Sequence, residues 1–360
     1  MISSYKILIA IICCTSLWSI TVFGQPVDEI HSQTIDFMNT LSPDQLQAAI
    51  YPMDDTLRTK WTNLPVGLAP RPGIRYGDLS SESRIKFHHI LTALFSSQGY
   101  LKTTSIMQLD DILNELYTEK YKNKEIDKEQ YQEMMDLDWA YGNYYISIWG
   151  KPEKNGTWGL KFGGHHISLN LTVSGNDFSM TPLFLGTDPA EVHSTQYAGL
   201  RVLSKEEDYG FRLINSLSDE QKSIATLSME VPGDIITNPS NKSRLIDYSG
   251  IKANQLNANQ KKLLKMLIME YINNLEHEKA HAYAHKINDA GIDNIYFAWI
   301  GSYEPLKPHY YAINGPDFLI EYDNVGFPDD PGNHIHSIWR EKGNDFGEDL
   351  LKSHYEQHEH

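Results

Sequence analysis

The order of apolar and polar positions predicts helices in two long stretches of the chain. Between Leu79 and Gly99, apolar side chains recur at the three- and four-residue spacing of one helix face. After Asn257, a residue type that favours the position just before a helix, the same spacing runs through residues 263–275. Both stretches therefore predict amphipathic helices that turn one face towards a core.

Short runs rich in β-branched and aromatic residues predict strands that follow these helices. The runs cover residues 144–149, 160–173, 296–300, 310–313 and 318–322. Helical stretches come first and a group of strands comes after, instead of single strands alternating with single helices. This grouping predicts an α+β fold.

The elements recur in the same order, which indicates an internal duplication. Residues 41–45 resemble 217–221, residues 73–75 resemble 250–252, and residues 150–172 align without a gap on 301–323. Chance similarity is the alternative, because each match is short. Duplication predicts two pseudo-repeated helix-plus-sheet units that pack as one body. Their expected bounds are 25–200, with a helical insertion near 100–140, and 201–360, which carries an E-x-D and an H-x-H motif.

Residues 1–24 have the pattern of a cleavable signal peptide, since Lys6 precedes a short apolar run and small or β-branched residues follow it. The alternative is a membrane anchor, which needs about 20 clean apolar residues. We expect cleavage after Gly24, a secreted or periplasmic protein, and no membrane span after cleavage. Both cysteines, Cys13 and Cys14, lie in this segment. Disulfides, zinc-thiolate sites and cysteine nucleophiles are therefore excluded from the expected mature chain.

Charge narrows the range of partners. The 360 residues include 47 acidic and 31 basic side chains, a formal net charge of -16. Nucleic acids and anionic membranes select basic surfaces, so neither is an expected partner. The hydrophobic share of 41% supplies enough apolar surface for a sizeable core, which argues against a mainly disordered chain.

A pair of adjacent histidines, His165 and His166, forms the first candidate site. If they lie on a strand, alternation places His165 among apolar side chains and His166 on the polar face with Asn170. His166 is therefore the better candidate for a cleft. A hydrogen-bonded core histidine is the simpler interpretation of His165.

The second candidate site joins the E-x-D motif, Glu321 and Asp323, to the H-x-H motif, His334 and His336. Each motif presents both side chains on one strand face, and Arg340 shares the face of the two histidines. Turn-forming residues separate the motifs and should fold His334 back beside Glu321. Two imidazoles with a nearby carboxylate can bind a metal ion. A satisfied buried polar network is the alternative.

Two further features are weaker. Asp345 is a candidate cap for a short C-terminal helix, from which His354 could reach the same site. His277, Glu278 and His281 match the H-E-x-x-H motif of zinc proteases on a predicted helix. Lys279 in the middle of that motif is typical of a solvated helix face. A zincin-type metalloprotease is therefore a remote alternative.

Five strings, at residues 158–170, 181–186, 315–324, 334–340 and 344–355, occur in an order that resembles a known family. It is the family called domain of unknown function 3500, whose members are mostly bacterial. The resemblance covers nearly the whole expected mature chain. It implies that the H-H, E-x-D and H-x-H strings belong together, and that H-E-x-x-H is a departure of this chain from the family pattern. The family name carries no activity.

These residues predict a secreted metal-dependent enzyme, in first place a hydrolase. The predicted ligands of a divalent metal ion, with zinc favoured, are His166, Glu321, His334 and His336. Asp323 is the predicted general base, and Arg340 the predicted clamp for an anionic group. The predicted supporting residues are His165, Asn170, Asp345 and His354.

The alternative is a non-catalytic secreted protein that binds a sugar or a peptide. Four tryptophans, Trp149, Trp158, Trp299 and Trp339, lie near the predicted strands and could hold such a ligand if exposed. In both cases the expected partner is a small molecule or a polymer, without nucleic acid.

Overall fold

The structure is a computed structural model that describes residues 26–240, 247–328 and 330–357. The expected signal peptide and its cleavage site lie outside the described residues. His354 lies in the C-terminal helix, but its side chain is also outside what the structure describes. In the described residues, no helix is both long and apolar enough to cross a membrane.

Ten helices occur in the described residues, and a polar side chain caps the start of most of them. Their bounds are α1 Pro26–Met38, α2 Pro43–Ala49, α3 Ser81–Leu94, α4 Ser97–Lys122, α5 Lys128–Met135, α6 Ser204–Asn215, α7 Asp219–Ala225, α8 Ala258–Ile272, α9 His277–Ala290 and α10 Glu348–Gln357. Helices α4 and α5 occupy the region in which the sequence predicts a helical insertion.

The strands form one mixed sheet. Their bounds are β1 Ile50–Tyr51, β2 Ile74–Arg75, β3 Tyr145–Gly150, β4 Thr157–Gly164, β5 Ile167–Ser174, β6 Asp177–Ser179, β7 Leu183–Thr187, β8 Thr226–Ser228, β9 Ile251–Lys252, β10 Tyr296–Gly301, β11 His309–Asn314, β12 Phe318–Asn324 and β13 Ile335–Glu341. The order across the sheet is β1-β3-β4-β5-β7-β13-β12-β11-β10-β8, with β2 on β3, β6 on β5 and β9 on β10. Helices and sheet together confirm the α+β class.

Corresponding strands of the two halves follow one another in the same order from the two edges of the sheet, as an internal duplication requires. Strands β3 and β10 are of equal length and end at Gly150 and Gly301, the first pair of the gap-free alignment, and β4–β5 correspond to β11–β12. The two halves meet at the antiparallel pair β7–β13, where Leu185 lies opposite Ser337. A local two-fold axis therefore passes between these two residues.

Small structural details repeat as well. Ser42 and Ser218 each form a capping box, with Gln45 and Gln221 respectively. Both glutamines also donate a hydrogen bond to the backbone carbonyl at the end of a distant short helical turn, at 3.2 Å and 2.8 Å. Identical local solutions at corresponding positions are the expected product of one ancestral unit used twice.

The helices cover one face of the sheet and irregular segments cover the other. On the helical side the main core contains fully buried aromatic side chains such as Phe87, Phe162 and Tyr311. On the opposite face, Phe184 and Ile338 pack against Trp61 and Ile235 from the segments that follow β1 and β8. Each large side chain buried in this way contributes roughly 1.5–3 kcal/mol through the hydrophobic effect. The sheet is thus covered on both faces.

Candidate metal centre

His165 and His166 form the tight turn between β4 and β5, because β4 ends at Gly164 and β5 begins at Ile167. The prediction that they lie on a strand, on opposite faces, is therefore wrong. His166 adopts a φ of 60°, a left-handed conformation that costs energy for a residue with a side chain. The gap-free alignment contained a signal for this turn, since it sets these two histidines against Pro316 and Asp317.

The neighbouring strand holds His166 in this conformation. Gly186 of β7 donates its N–H to the carbonyl oxygen of His166 at 2.8 Å. A side chain at Gly186 would start 2.7 Å from the carbonyl oxygen of Ile335 and 3.1 Å from the imidazole of His166. Only glycine leaves the space that the His166 ring occupies.

Three imidazoles meet at the seam between the two halves, and we call them the three-histidine cluster: His166, His334 and His336. Nε2 of His166 lies 2.8 Å from Nε2 of His334 and 3.2 Å from Nε2 of His336. One ring nitrogen from each residue lies within 4.8 Å of the other two. Burial lowers the pKa of His166 and that of His334 well below the ordinary value, and the neighbouring histidines lower both further. These two rings are therefore neutral at physiological pH.

Two carboxylates lie behind His336, on the side away from His166. Nδ1 of His336 lies 2.8 Å from Oδ1 of Asp234 and 3.7 Å from Oδ1 of Asp323. Although burial opposes them, these carboxylates raise the pKa of His336. Burial in turn raises the pKa of Asp323 to about 7. A carboxylate at Nδ1 fixes the ring so that Nε2 faces the cluster.

A second histidine–carboxylate pair lies beside the cluster. Nδ1 of His165 is 2.6 Å from Oδ1 of Asp110, whose other oxygen accepts a hydrogen bond from the Tyr144 hydroxyl at 2.9 Å. The His165 ring stacks on that of His166 with 3.8 Å between centroids. Nε2 of His165 makes no hydrogen bond within the described residues, although the residue is only 4% exposed.

Glu321 does not join the histidines, although the sequence predicts it as a metal ligand. Its carboxylate accepts hydrogen bonds from the Tyr310 hydroxyl at 3.0 Å and the Ile236 backbone N–H at 2.7 Å, and it also contacts Thr237. The strand register explains this placement, because Asp323 lies opposite His336 and Glu321 lies two residues further along. Glu321 is therefore held by Thr237, Ile236 and Tyr310, and its carboxylate is not among the described groups that converge with the histidines.

Arg340, the predicted anion clamp, is bound within the same buried network. Its Nε donates to the Thr237 hydroxyl at 3.0 Å, one terminal nitrogen donates to the Thr237 carbonyl at 2.8 Å, and the other pairs with Asp345. Asn170 donates to the carbonyl of Pro182 at 2.8 Å. These predicted site residues therefore hold the protein together on the far side of the two-fold axis, away from the three-histidine cluster.

The remaining sequence motifs also lie outside the cluster. His277 and His281 are exposed on α9 with 6.4 Å between ring centroids, and the described residues bring no third ligand to them. Lys279 is paired with Asp177 at 2.9 Å. The four tryptophans near the strands are at most 2% exposed, so none of them is available to a ligand; they are Trp149, Trp158, Trp299 and Trp339.

A cavity of about 150 Å³ adjoins the cluster, and we call it the side cavity. Asp188, one residue past the end of β7, lines it and follows Thr187, which lies opposite Ile335. Phe327 also lines it, with its ring centroid 5.8 Å from that of His334. Burial raises the pKa of Asp188 to about 6, although His165 and His336 act in the opposite direction. The side cavity therefore lies beside the cluster, lined by residues that flank its histidines and not by those histidines themselves.

Three acidic residues of the site were missed by sequence reasoning: Asp110, Asp188 and Asp234. Asp110 carried a usable signal, since it lies on the apolar face of α4 with Ile106 and Leu113 at helical spacing. Asp188 and Asp234 follow strands as single acids in turn-rich segments, where no spacing distinguishes them from surface carboxylates.

Residues 23–348 match the model of one protein family, described as Protein of unknown function (DUF3500). Because the match spans most of the chain, the protein belongs to this family, and the predicted resemblance is confirmed. Every residue of the three-histidine cluster and both of its carboxylate partners fall inside the matched range. Comparisons with curated proteins and with solved structures each found no match.

Proposed function

We propose that the protein is a metal-dependent hydrolase whose divalent cation, zinc in first place, is bound by His166, His334 and His336. The observation that carries this proposal is the convergence of three imidazole Nε2 atoms at a buried point, 2.8 Å and 3.2 Å from the central one. A cation among these three nitrogens would accept a lone pair from each of them.

The spacing and chemistry of the three nitrogens support zinc. Zinc–nitrogen bonds of about 2.0–2.1 Å in a tetrahedron separate two ligand nitrogens by about 3.3 Å. Imidazole nitrogens suit zinc, copper, iron and nickel better than magnesium or calcium. The carboxylate of Asp234 at Nδ1 of His336 adds the outer hydrogen bond that usually orients a metal-binding histidine.

Three protein ligands favour catalysis over a structural role, because structural zinc sites normally have four. A zinc ion bound in this way lowers the pKa of a coordinated water to about 7 and polarises a carbonyl group. The side cavity lies beside the cluster and would receive the substrate. We therefore infer hydrolysis of an acyl bond, such as an ester or an amide.

The surrounding residues of this chain support that reaction. His165, held by Asp110, stacks on His166 and can accept or return a proton at its Nε2. Asp188 lines the side cavity and is a second proton acceptor. Asp323, which the sequence suggested as general base, lies behind His336 and instead orients that ring.

We further propose that the enzyme acts outside the cytoplasm, on the basis of the signal-peptide pattern at residues 1–24. A hydrolase that lacks cysteine after cleavage suits an oxidising compartment. No cofactor other than the metal ion is needed for this chemistry.

Metal analysis of the purified full-length protein tests the proposal. We expect about one zinc per chain in the wild type, and a loss of at least about tenfold in affinity in His334→Ala and His336→Ala. His281→Ala is the matched control, since it removes an exposed histidine outside the cluster, and its metal content should equal that of the wild type. Absence of metal from the wild type after supplementation, or an unchanged content in His334→Ala, contradicts the proposal.

A further inference from the structure

We infer that the side cavity binds a compact cationic group of the substrate, an ammonium or guanidinium carried on a short apolar stem. This inference rests on the proposed function for the reaction that follows, but not for the binding itself. It commits the enzyme to acyl bonds placed next to a basic group.

The walls of the side cavity supply the apolar part. Leu113, Leu116 and Tyr117 lie at helical spacing on α4 and form one wall, and Phe327 faces the cluster from the opposite loop. The volume of about 150 Å³ corresponds to roughly five water molecules of about 30 Å³ each, the size of a four-carbon chain with one polar end. Lys120 already lies over the Tyr117 ring, with 5.1 Å from its Nζ to the ring centroid, so Phe327 is the aromatic side chain of the lining that remains for a cation.

The polar part of the lining is mainly acidic. Three carboxylates, Asp188, Glu191 and Asp330, line the side cavity against one lysine, Lys120. Asp188 makes no hydrogen bond within the described residues, and the nearest cation to Glu191 is Arg201 at 4.0 Å, which is itself engaged by two other carboxylates. Asp330 accepts a hydrogen bond from Asn333. The three carboxylates outnumber the one lysine of the lining, which also contains His193, so an entering cation finds net negative charge, whereas a phosphate or carboxylate is repelled.

The position of Asp188 decides where the cation would sit relative to the reaction. Asp188 lines the side cavity and directly follows Thr187, which lies opposite Ile335, the residue between His334 and His336. A substrate anchored there by its cationic end would extend its neighbouring carbonyl towards the three-histidine cluster. Hydrolysis then adds the oxygen of water to the carbonyl carbon and a proton to the departing nitrogen or oxygen.

Three probes of matched shape test the inference directly: n-butylammonium, 1-butanol and butyrate, titrated into the full-length protein by calorimetry or ligand-observed NMR at pH 7.5. We expect n-butylammonium to bind at least about tenfold more tightly than 1-butanol, because one charge-assisted hydrogen bond changes the affinity by about that factor. Butyrate should not bind detectably. Equal binding of the three probes, or tighter binding of butyrate, overturns the inference.

Variants of the cavity carboxylates test whether these residues cause the preference for n-butylammonium. Asp188→Asn and Glu191→Gln keep shape and remove one charge each, and each should reduce the preference for n-butylammonium over 1-butanol about tenfold. Glu304→Gln, an exposed carboxylate in a surface pair with Lys307, is the control and should leave the preference unchanged. An unchanged preference in both cavity variants contradicts the inference. Metal content measured on the same samples separates the two proposals, because a metal-free protein that still prefers the cation refutes only the metal centre.

Discussion

Asp323→Asn should make the metal-free protein more stable at alkaline pH. Asp323 is 1% exposed, and its Oδ2 has no hydrogen-bond partner in the described part of the chain. Burial raises its pKa from 3.8 to about 7, so the folded state holds a proton that the unfolded state has lost. The free energy of unfolding therefore falls as pH rises from about 4 to 7. The full loss relative to pH 4, at most about 4 kcal/mol, persists above pH 7.

In the wild type, the His336 backbone N–H donates to Oδ1 of Asp323 at 3.1 Å. Asparagine keeps an oxygen that can accept this hydrogen bond and removes the charge. Burying its amide still costs free energy, so we expect a net gain of about 1–3 kcal/mol at pH 8.5 and little gain at pH 4.5. Urea unfolding in the presence of a chelator at both pH values measures the difference. Asp177→Asn, an exposed carboxylate paired with Lys279, is the control. A gain that is equal at both pH values, or a loss at pH 8.5, refutes the reasoning.

Three further outcomes follow from the same geometry. Asp234→Asn removes the carboxylate at Nδ1 of His336 and should weaken zinc binding about 10- to 100-fold in a chelator competition, with Asp177→Asn unchanged. Gly186→Ala places a methyl group against the Ile335 carbonyl and the His166 ring, so both zinc affinity and the thermal midpoint should fall, and an unchanged affinity would contradict the account of the turn. Protein recovered from the exported fraction should begin at Gln25 by N-terminal sequencing; an intact Met1 there would contradict cleavage.

Periodicity and repetition were sufficient to predict the class of fold. The helices around residues 81–94 and 258–272 follow from apolar spacing, and the strands that β3–β5 and β10–β12 form follow from β-branched and aromatic runs. The turn at His165 and His166 was hidden because a run of strand-forming residues continues on both sides of it. Only the comparison with Pro316 in the second half marks the break.

The sequence motifs of the candidate site could be recognised, but the contacts between their residues could not be predicted. Alternation places Glu321 and Asp323 on one face, yet it does not say which of them lies opposite His336. That choice depends on the register between β12 and β13, a long-range property of the sheet. Asp110 and Asp234 reach the site from a helix and a loop far away in sequence, so no local pattern links them to the histidines.

The internal repeat leads to one last prediction, a stoichiometry of one metal ion per chain. In the gap-free alignment the counterpart of His166 is Asp317, so the repeat supplies no second histidine at that position. The other group of described residues that could hold a metal ion, Asp234, Asp323 and His336, shares His336 with the three-histidine cluster, so we expect the two groups not to bind independently. Titration of the metal-free protein with zinc should therefore reach saturation at one equivalent, and His334→Ala should abolish that single transition. A second tight equivalent that survives in His334→Ala would mean that metal binding is not confined to the three-histidine cluster.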